Sequence, residues 1–140
     1  MTKVLVFGVF DGLHEGHKFF LREAKKLGDH LIVVTPPDDV IFKLKSKKPH
    51  LNLEERTRDL KNFDIADEIL IGDSQLNDWK ILSKINPNLI VTGYDQKNLK
   101  KALVKYLKTK KLPIKVLSLS AFKKYQYKSS LISRNRSLRK

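Results

Sequence analysis

The feature that most limits the possible folds is the regular alternation of short apolar runs with longer amphipathic stretches. Five runs are nearly continuous in β-branched residues and leucine, which is typical of strands covered on both faces. We predict strands over residues 4–9, 31–35, 68–71, 89–92 and 114–117. Strands that alternate with helices in this way form a parallel sheet with crossover helices.

The stretches between the apolar runs carry helical patterns. Asn52 and Glu55 have the spacing of a capping box, and Gly28 stands where the first helix is predicted to end. The pattern over residues 98–110 repeats apolar side chains at i, i+3, i+4 and i+7. We predict helices over residues 16–27, 53–63, 78–85 and 98–110, and a last one from Ser129.

Length and pattern together predict one α/β domain. A chain of 140 residues with 41% hydrophobic content has the size of a single domain with one core. We predict a Rossmann-like, doubly wound domain with a five-stranded parallel sheet over residues 1–133, followed by a basic tail over residues 134–140. Such sheets bind ligands at the carboxyl ends of their strands, where the strand order reverses.

Charge and cysteine content exclude several classes of protein. All 15 acidic residues lie at or before Asp95, so the formal charge of +14 is concentrated in the last third of the chain. The absence of cysteine excludes disulfides, thiolate metal sites and thiol nucleophiles. No apolar run approaches the ~20 residues of a membrane span, and the first residues lead directly into a predicted strand. We therefore expect a cytoplasmic protein.

The densest group of reactive residues follows the first predicted strand. Residues 8–17 read Gly-Val-Phe-Asp-Gly-Leu-His-Glu-Gly-His and run into the first predicted helix. A helix start offers free N–H groups and a partial positive charge, which suit phosphate. His14 and His17 are three residues apart, so both can face one side of that helix start. A surface or capping role is the alternative for each histidine; a metal site is disfavoured because no third ligand is evident.

Residues 8–17 resemble the first motif of the nucleotidylyltransferases that carry an HxGH signature. This family has a Rossmann-like fold of the HUP type, and its members transfer a nucleoside monophosphate from ATP or CTP to a phosphate-bearing acceptor. Pyrophosphate is released, and Mg²⁺ or another divalent cation is needed. The resemblance implies that Mg²⁺ is held mainly by the nucleotide phosphates, without a metal site made of protein side chains.

Three later segments resemble further motifs of the same family. Residues 43–49 resemble its mobile lysine loop, which precedes a helix that begins with Glu54-Glu55-Arg56; residues 93–96 resemble an element near the nucleotide, and residues 127–132 the motif that opens the last helix. The resemblance implies catalytic roles for His14, His17, Lys47 and Lys48. It implies a nucleotide site made of Gly8, Val9, Phe10, Asp11, His14, His17, Gly93, Asp95, Gln96, Lys128, Ser129 and Ser130.

One departure from the family pattern concerns the segment after the second predicted strand. Many members have one aspartate there, whereas this chain reads Thr35-Pro36-Pro37-Asp38-Asp39. The prolines change the backbone path, so the sequence leaves open which aspartate takes the family position.

Within the family, the residues look most similar to archaeal-type FAD synthases, which adenylylate FMN. We therefore expect ATP and FMN as substrates, with glycerol-3-phosphate cytidylyltransferase as the alternative. Two further classes remain: a nucleic-acid-binding module, suggested by tyrosines among the terminal lysines, and a nucleotide-binding domain without catalysis. The basic positions carry no readout motif, so we do not expect nucleic acid as a partner. Because no apolar run has the length of a membrane span, we do not expect a membrane either. The sequence leaves open whether the protein forms a homodimer.

Overall fold

The sheet is built around its first strand, β1 (Lys3–Phe7). The computed structural model describes residues 1–73 and 79–120, and within them five parallel strands have the order β3-β2-β1-β4-β5. The strand order reverses between β1 and β4, so ligands are expected there. The predicted α/β fold is confirmed. The other strands are β2 (His30–Thr35), β3 (Glu68–Ile71), β4 (Leu89–Thr92) and β5 (Lys115–Ser118).

The helices follow the predicted pattern with one addition. The capping box of Asn52 and Glu55 is present at the start of the third helix. The predicted C-cap at Gly28 is wrong, because the first helix ends at Lys25 with Lys26 as its C-cap. The described helices are α1 (Glu15–Lys25), α2 (Asp38–Lys45), α3 (Leu53–Phe63), α4 (Lys80–Ile85) and α5 (Lys97–Lys110).

Helix α2 is the addition, and it changes the interpretation of the lysine segment. Lys43 and Lys45, expected in a loop, form the last turn of this helix, which ends at Ser46 in a left-handed conformation. The cause is local: Pro37 is the N-cap and two aspartates occupy the first turn, where the helix dipole favours negative charge. Only residues 46–49 of the predicted lysine loop lie outside helix α2.

The sheet separates two layers of buried apolar side chains. Strand residues alternate between the faces, so Leu5 and Ile32 pack with α4 and α5, whereas Val4 and Val33 pack with α1 and α3. Trp79, which precedes α4, belongs to the first layer, and Phe10, which follows β1, belongs to the second. The end of β1 therefore lies between two different layers of buried side chains, one on each face of the sheet.

Several predicted features lie outside the described residues. They are the helix from Ser129, the phosphate-binding residues Lys128, Ser129 and Ser130, and the tail over residues 134–140.

Within residues 1–73 and 79–120, none of the helices combines the length and the apolar character required to cross a membrane.

Candidate active site

The turn after β1 is shaped by the packing of Phe10. This residue is buried, has a φ of 51°, and contacts His17 edge to face with 5.4 Å between ring centroids. A Cβ on Gly8 would lie 2.5 Å from the Phe10 ring. Glycine at position 8 is therefore needed to let Phe10 fold back beneath His17 and support its imidazole.

His14 is both a helix cap and a candidate ligand of phosphate. Its Nδ1 atom accepts hydrogen bonds from the N–H groups of Gly16 at 3.0 Å and His17 at 3.3 Å, which satisfies donors at the start of α1. An Nδ1 atom that accepts places the proton of the neutral ring on Nε2. Nε2 is then the atom of His14 that can donate to a phosphate oxygen.

The glycine between the two histidines makes room for this arrangement. A Cβ on Gly16 would lie 2.9 Å from Cε1 of His14 and 3.1 Å from its Nδ1. Without that Cβ, the His14 ring lies over the helix start and stacks on His17, with 3.7 Å between centroids and 19° between ring planes. The HxGH spacing thus has a steric basis in this chain.

His17 is held in its neutral form in the free protein. Burial lowers its pKa below the ordinary value of 6.5, and the adjacent His14 lowers the pKa further. A hydrogen bond with the Gly12 backbone and the charge of Asp95 act in the opposite direction but do not outweigh these effects. At pH 7 the two stacked rings therefore do not carry two adjacent positive charges in the free protein.

Gln96 joins the ends of the two strands between which the strand order reverses. Its Oε1 accepts from the N–H of Gly93 at 2.8 Å, and its Nε2 donates to the carbonyl oxygen of Phe7 at 3.0 Å. Both ends of the amide are thus engaged with the protein. Gln96, predicted to bind nucleotide, has the geometry of a positioning residue, while Asp95 beside it is exposed.

Arg56 organises the other side of the turn, and the sequence prediction gave it no role. Its side chain is fully buried and lies where the apolar stripe of α3 would place a residue between Leu53 and Leu60. A charged residue on an apolar stripe was the signal available in the sequence. The Arg56 guanidinium donates to the backbone oxygens of Val9, Pro36 and Leu51, to the Thr35 hydroxyl and to the Asp38 carboxylate. One side chain therefore joins the ends of β1 and β2 to the start of α3.

This network also distinguishes the two aspartates that the sequence left open. Asp38 accepts from Arg56 at 2.8 Å and from the N–H of Leu53 at 3.3 Å. Asp39 is exposed, and its side chain accepts from the neighbouring N–H of Val40 at 3.0 Å. Asp38 is therefore the aspartate that connects the end of β2 to the site.

Asp11 fixes the segment that follows the lysines. Its two carboxylate oxygens accept from the N–H groups of His50 and Leu51, each at 2.7 Å. Burial raises the pKa of Asp11, but these backbone hydrogen bonds, aided by the charge of Arg56, hold it below the ordinary value of 3.8. Asp11 is thus ionised at neutral pH, with each oxygen bound to a backbone donor.

Most of the predicted site residues that the structure describes line a cleft of about 730 Å³, here called the histidine cleft. Lys45 lines this cleft and is close enough to His17 to lower its pKa, whereas Lys47 and Lys48 are exposed and do not line it. The cleft is lined by the predicted residues Gly8, Val9, Phe10, Asp11, His14, His17, Gly93, Asp95 and Gln96, and also by Phe7, Gly16, Phe19, Phe20, Lys45, Tyr94 and Ser120.

A second cavity of about 410 Å³, here called the Trp79 pocket, adjoins the histidine cleft. The two share Phe7, Gly8, Val9 and Gln96. Its remaining lining residues are Val34, Pro36, Val40, Leu44, Gly72, Asp73, Trp79, Asn98, Leu99 and Ala102. Sequence reasoning missed this pocket, because its lining comes from segments that are far apart in the chain.

Two carboxylates of the site are engaged with groups of the protein itself. Asp11 and Asp38 are bound to backbone N–H groups or to Arg56. In the part of the chain that the structure describes, no group of three or more His, Asp or Glu side chains could hold a metal ion.

Comparison with known sequences finds one matching family and several relatives that are all named FAD synthase. Residues 5–135 match the family described as cytidylyltransferase-like. The FAD synthase of Thermococcus sibiricus is 34% identical over 99% of this chain and 90% of its own length. The FAD synthase of Pyrococcus horikoshii is 35% identical over 93% of this chain and 88% of its own length. That of Aciduliprofundum boonei is 38% identical over 87% of this chain and 80% of its own length.

Comparison with solved structures agrees with the sequence relatives. The structure of a protein from Thermoplasma volcanium described as a lipopolysaccharide core biosynthesis protein has a TM-score of 0.80 at 30% identity, covering 88% of this chain and 99% of its own. Pantoate-beta-alanine ligase from Francisella tularensis, at 14% identity and a TM-score of 0.65 over 88% and 60% of the two chains, shares the fold alone. The predicted family is thus confirmed: the chain belongs to the cytidylyltransferase-like family.

Proposed function

We propose that this protein is a nucleotidylyltransferase that transfers AMP from ATP to FMN, forming FAD and releasing pyrophosphate. The observation that carries this proposal is the stacked pair of His14 and His17 on the start of α1, at the carboxyl end of β1. Both rings line a cleft wide enough for a nucleotide. The choice of ATP and FMN is supported by the FAD synthases that are 34–38% identical to this chain over most of its length.

The reaction proposed is a direct in-line displacement. A phosphate oxygen of FMN attacks the α-phosphorus of ATP; the new O–P bond forms as the bond to the β-phosphate oxygen breaks, and pyrophosphate leaves with that electron pair. A phosphate monoester carries close to two negative charges at pH 7. No side chain is therefore needed to remove a proton from the nucleophile.

The protein's contribution is positioning and charge stabilisation. Nε2 of His14 would donate to the triphosphate, and His17 would donate as the imidazolium that the triphosphate's negative charge favours. The start of α1 would add its partial positive charge. Lys45 is the lysine that lines the cleft, so it joins the predicted Lys47 and Lys48 as a candidate partner of the leaving pyrophosphate. Lys128, Ser129 and Ser130 retain their predicted role at the phosphates.

Mg²⁺ is proposed to enter as part of the substrate. The carboxylates Asp11 and Asp38 are engaged with the protein's own donors, which fits a cation carried by the triphosphate. Bound there, Mg²⁺ would neutralise charge on the phosphates.

The test is a two-by-two panel of ATP or CTP with FMN or glycerol 3-phosphate, in the presence of Mg²⁺. We expect pyrophosphate release and FAD formation with ATP and FMN. A strong signal with CTP and glycerol 3-phosphate, and none with ATP and FMN, would replace the proposal by the cytidylyltransferase alternative.

A further inference from the structure

The Trp79 pocket is lined mostly by apolar side chains. Trp79 and Phe7 form an edge-to-face pair, with 5.4 Å between centroids and 69° between ring planes. The pocket's volume of about 410 Å³ falls within the ~300–1,000 Å³ typical of small-molecule sites. The other apolar members are Val9, Val34, Pro36, Val40, Leu44, Leu99 and Ala102.

The polar groups of the pocket are few, and two are already engaged. Gln96 connects Gly93 to Phe7, and Asp73 accepts from the N–H of Ile81 at 3.3 Å. A ligand rich in hydroxyl groups would leave those groups unpaired against the apolar wall, which costs binding free energy. Aromatic side chains favour a planar ring, which can pack edge to face or in an offset stack. The pocket thus fits a large, flat, mostly apolar group.

The position of the pocket relates it to the proposed reaction. Phe7, Gly8 and Val9 at the end of β1 form a wall common to this pocket and to the histidine cleft. One acceptor molecule can therefore place a ring system in the pocket and a phosphate at the entrance of the cleft.

We infer that the Trp79 pocket binds the isoalloxazine ring of the acceptor, and that Trp79 determines acceptor specificity. This inference rests on the proposed function. It predicts that, apart from their shared wall, acceptor binding depends on the residues of the pocket and nucleotide binding on the residues of the cleft.

The first experiment uses the fact that Trp79 is the only tryptophan of the chain. We expect FMN, added without nucleotide, to quench the tryptophan emission in a saturable way, after correction against free N-acetyltryptophanamide. Glycerol 3-phosphate should not quench it. Emission that follows the N-acetyltryptophanamide control at all FMN concentrations would contradict the inference.

The second experiment fills the pocket from helix α5. Ala102 is partly buried and lines the pocket, whereas Val104 on the same helix is 44% exposed and does not. We expect Ala102→Phe to raise the KM for FMN at least tenfold, with the KM for ATP unchanged. Val104→Phe is the matched control and should leave both values unchanged.

A third variant guards against misfolding of Ala102→Phe. Leu44 lines the pocket but is 57% exposed, so Leu44→Glu is expected to fold normally. It should also raise the KM for FMN, because it places a charge beside the ring. If folded Ala102→Phe and Leu44→Glu both keep the parent's KM for FMN, the isoalloxazine ring binds elsewhere and the inference fails. FAD formation by the parent would still support the proposed function in that case. If the parent forms no FAD but does form a cytidylyl product, the proposed function and this inference both fail.

Discussion

The histidine cleft and the Trp79 pocket share the end of β1 but differ in chemistry. The cleft contains two imidazoles on a helix start, a lysine and carboxylates, whereas the pocket is lined mainly by aromatic and aliphatic side chains. The difference follows from the sheet, whose opposite faces carry different layers: Phe10 and Phe20 pack on the side of α1, and Trp79 and Leu99 on the side of α4 and α5. A single strand end can thus provide a charged site and an apolar site side by side.

The two sites are also held together by different interactions. The turn on the cleft side is fixed by polar contacts of Arg56, Asp11 and Gln96 with backbone groups. The pocket is formed by the packing of apolar side chains around Trp79. Loss of Arg56 should therefore cost stability on the cleft side, whereas the pocket should respond to changes in side-chain volume around Trp79.

The largest effect is expected for His17→Ala. Loss of one donor to the transition state typically costs ~10²–10³-fold in kcat, so pyrophosphate release should fall by about that factor. Quenching of Trp79 by FMN should be unchanged, which would sharpen the division between cleft and pocket. His30→Ala is the matched control, since His30 lies at the opposite end of the sheet and pairs with Glu68. Turnover by His17→Ala equal to the parent's would remove this histidine from the chemistry.

A large loss of stability is expected for Arg56→Met. The substitution leaves several buried oxygens without their donor, and such losses amount to roughly 3 kcal/mol in the free energy of unfolding. Arg58→Met on the same helix is the control: the Arg58 side chain is 60% exposed and pairs with Glu54, so we expect a change below about 0.5 kcal/mol. Urea unfolding measures both. Equal stability of the two variants would show that the buried network does not hold the cleft.

His14 allows its two roles to be separated. His14→Ala removes the cap of α1, at a cost of about 1 kcal/mol in stability, and also removes the donor at Nε2. His14→Asn should restore most of that stability, since asparagine is a good N-cap, but not the activity. Thermal unfolding and pyrophosphate release distinguish the two variants. Full activity in His14→Asn would reduce His14 to a cap.

The smallest effect expected is a pH dependence due to His17. Burial and His14 depress the pKa of His17 in the free protein, and the negative charge of a bound triphosphate should raise it. ATP binding should therefore take up a fraction of a proton at pH values near and below the ordinary pKa of 6.5. Affinity for ATP should then increase as the pH falls. Calorimetry in buffers of different ionisation enthalpy measures the uptake, and His17→Ala should abolish this contribution. FMN binding in the pocket should show no matching dependence.

The same shift has a defined sign for stability. The folded pKa of His17 lies below the unfolded value of about 6.5, so the unfolded chain binds the proton first as the pH falls. This contribution to stability is therefore present above that pH and is lost below it. The lowered pKa of Asp11 acts in the same direction: its contribution to stability is present above the ordinary value of 3.8 and is lost as the pH falls below it.

Much of the fold and part of the site were predictable because their signals are local. The bounds of β3, β4 and α3 agree with those predicted, since apolar runs and the Asn52–Glu55 box act within a few residues. Helix α2 was not predicted, although Pro37 and the following aspartates are start signals, because the lysines after them resemble the mobile loop of the family.

The sequence by itself determined the parallel α/β architecture, the histidine turn and the family, because periodicity, caps and a contiguous motif are all written within short stretches. The tertiary structure alone decided the partners of Arg56, which reaches from α3 to Val9 and Pro36, and brought Lys45 to the cleft. It also built the Trp79 pocket from β1, β2, α2 and α5. Those contacts depend on the order of the strands in the sheet. No local sequence signal tells which strands will lie next to each other.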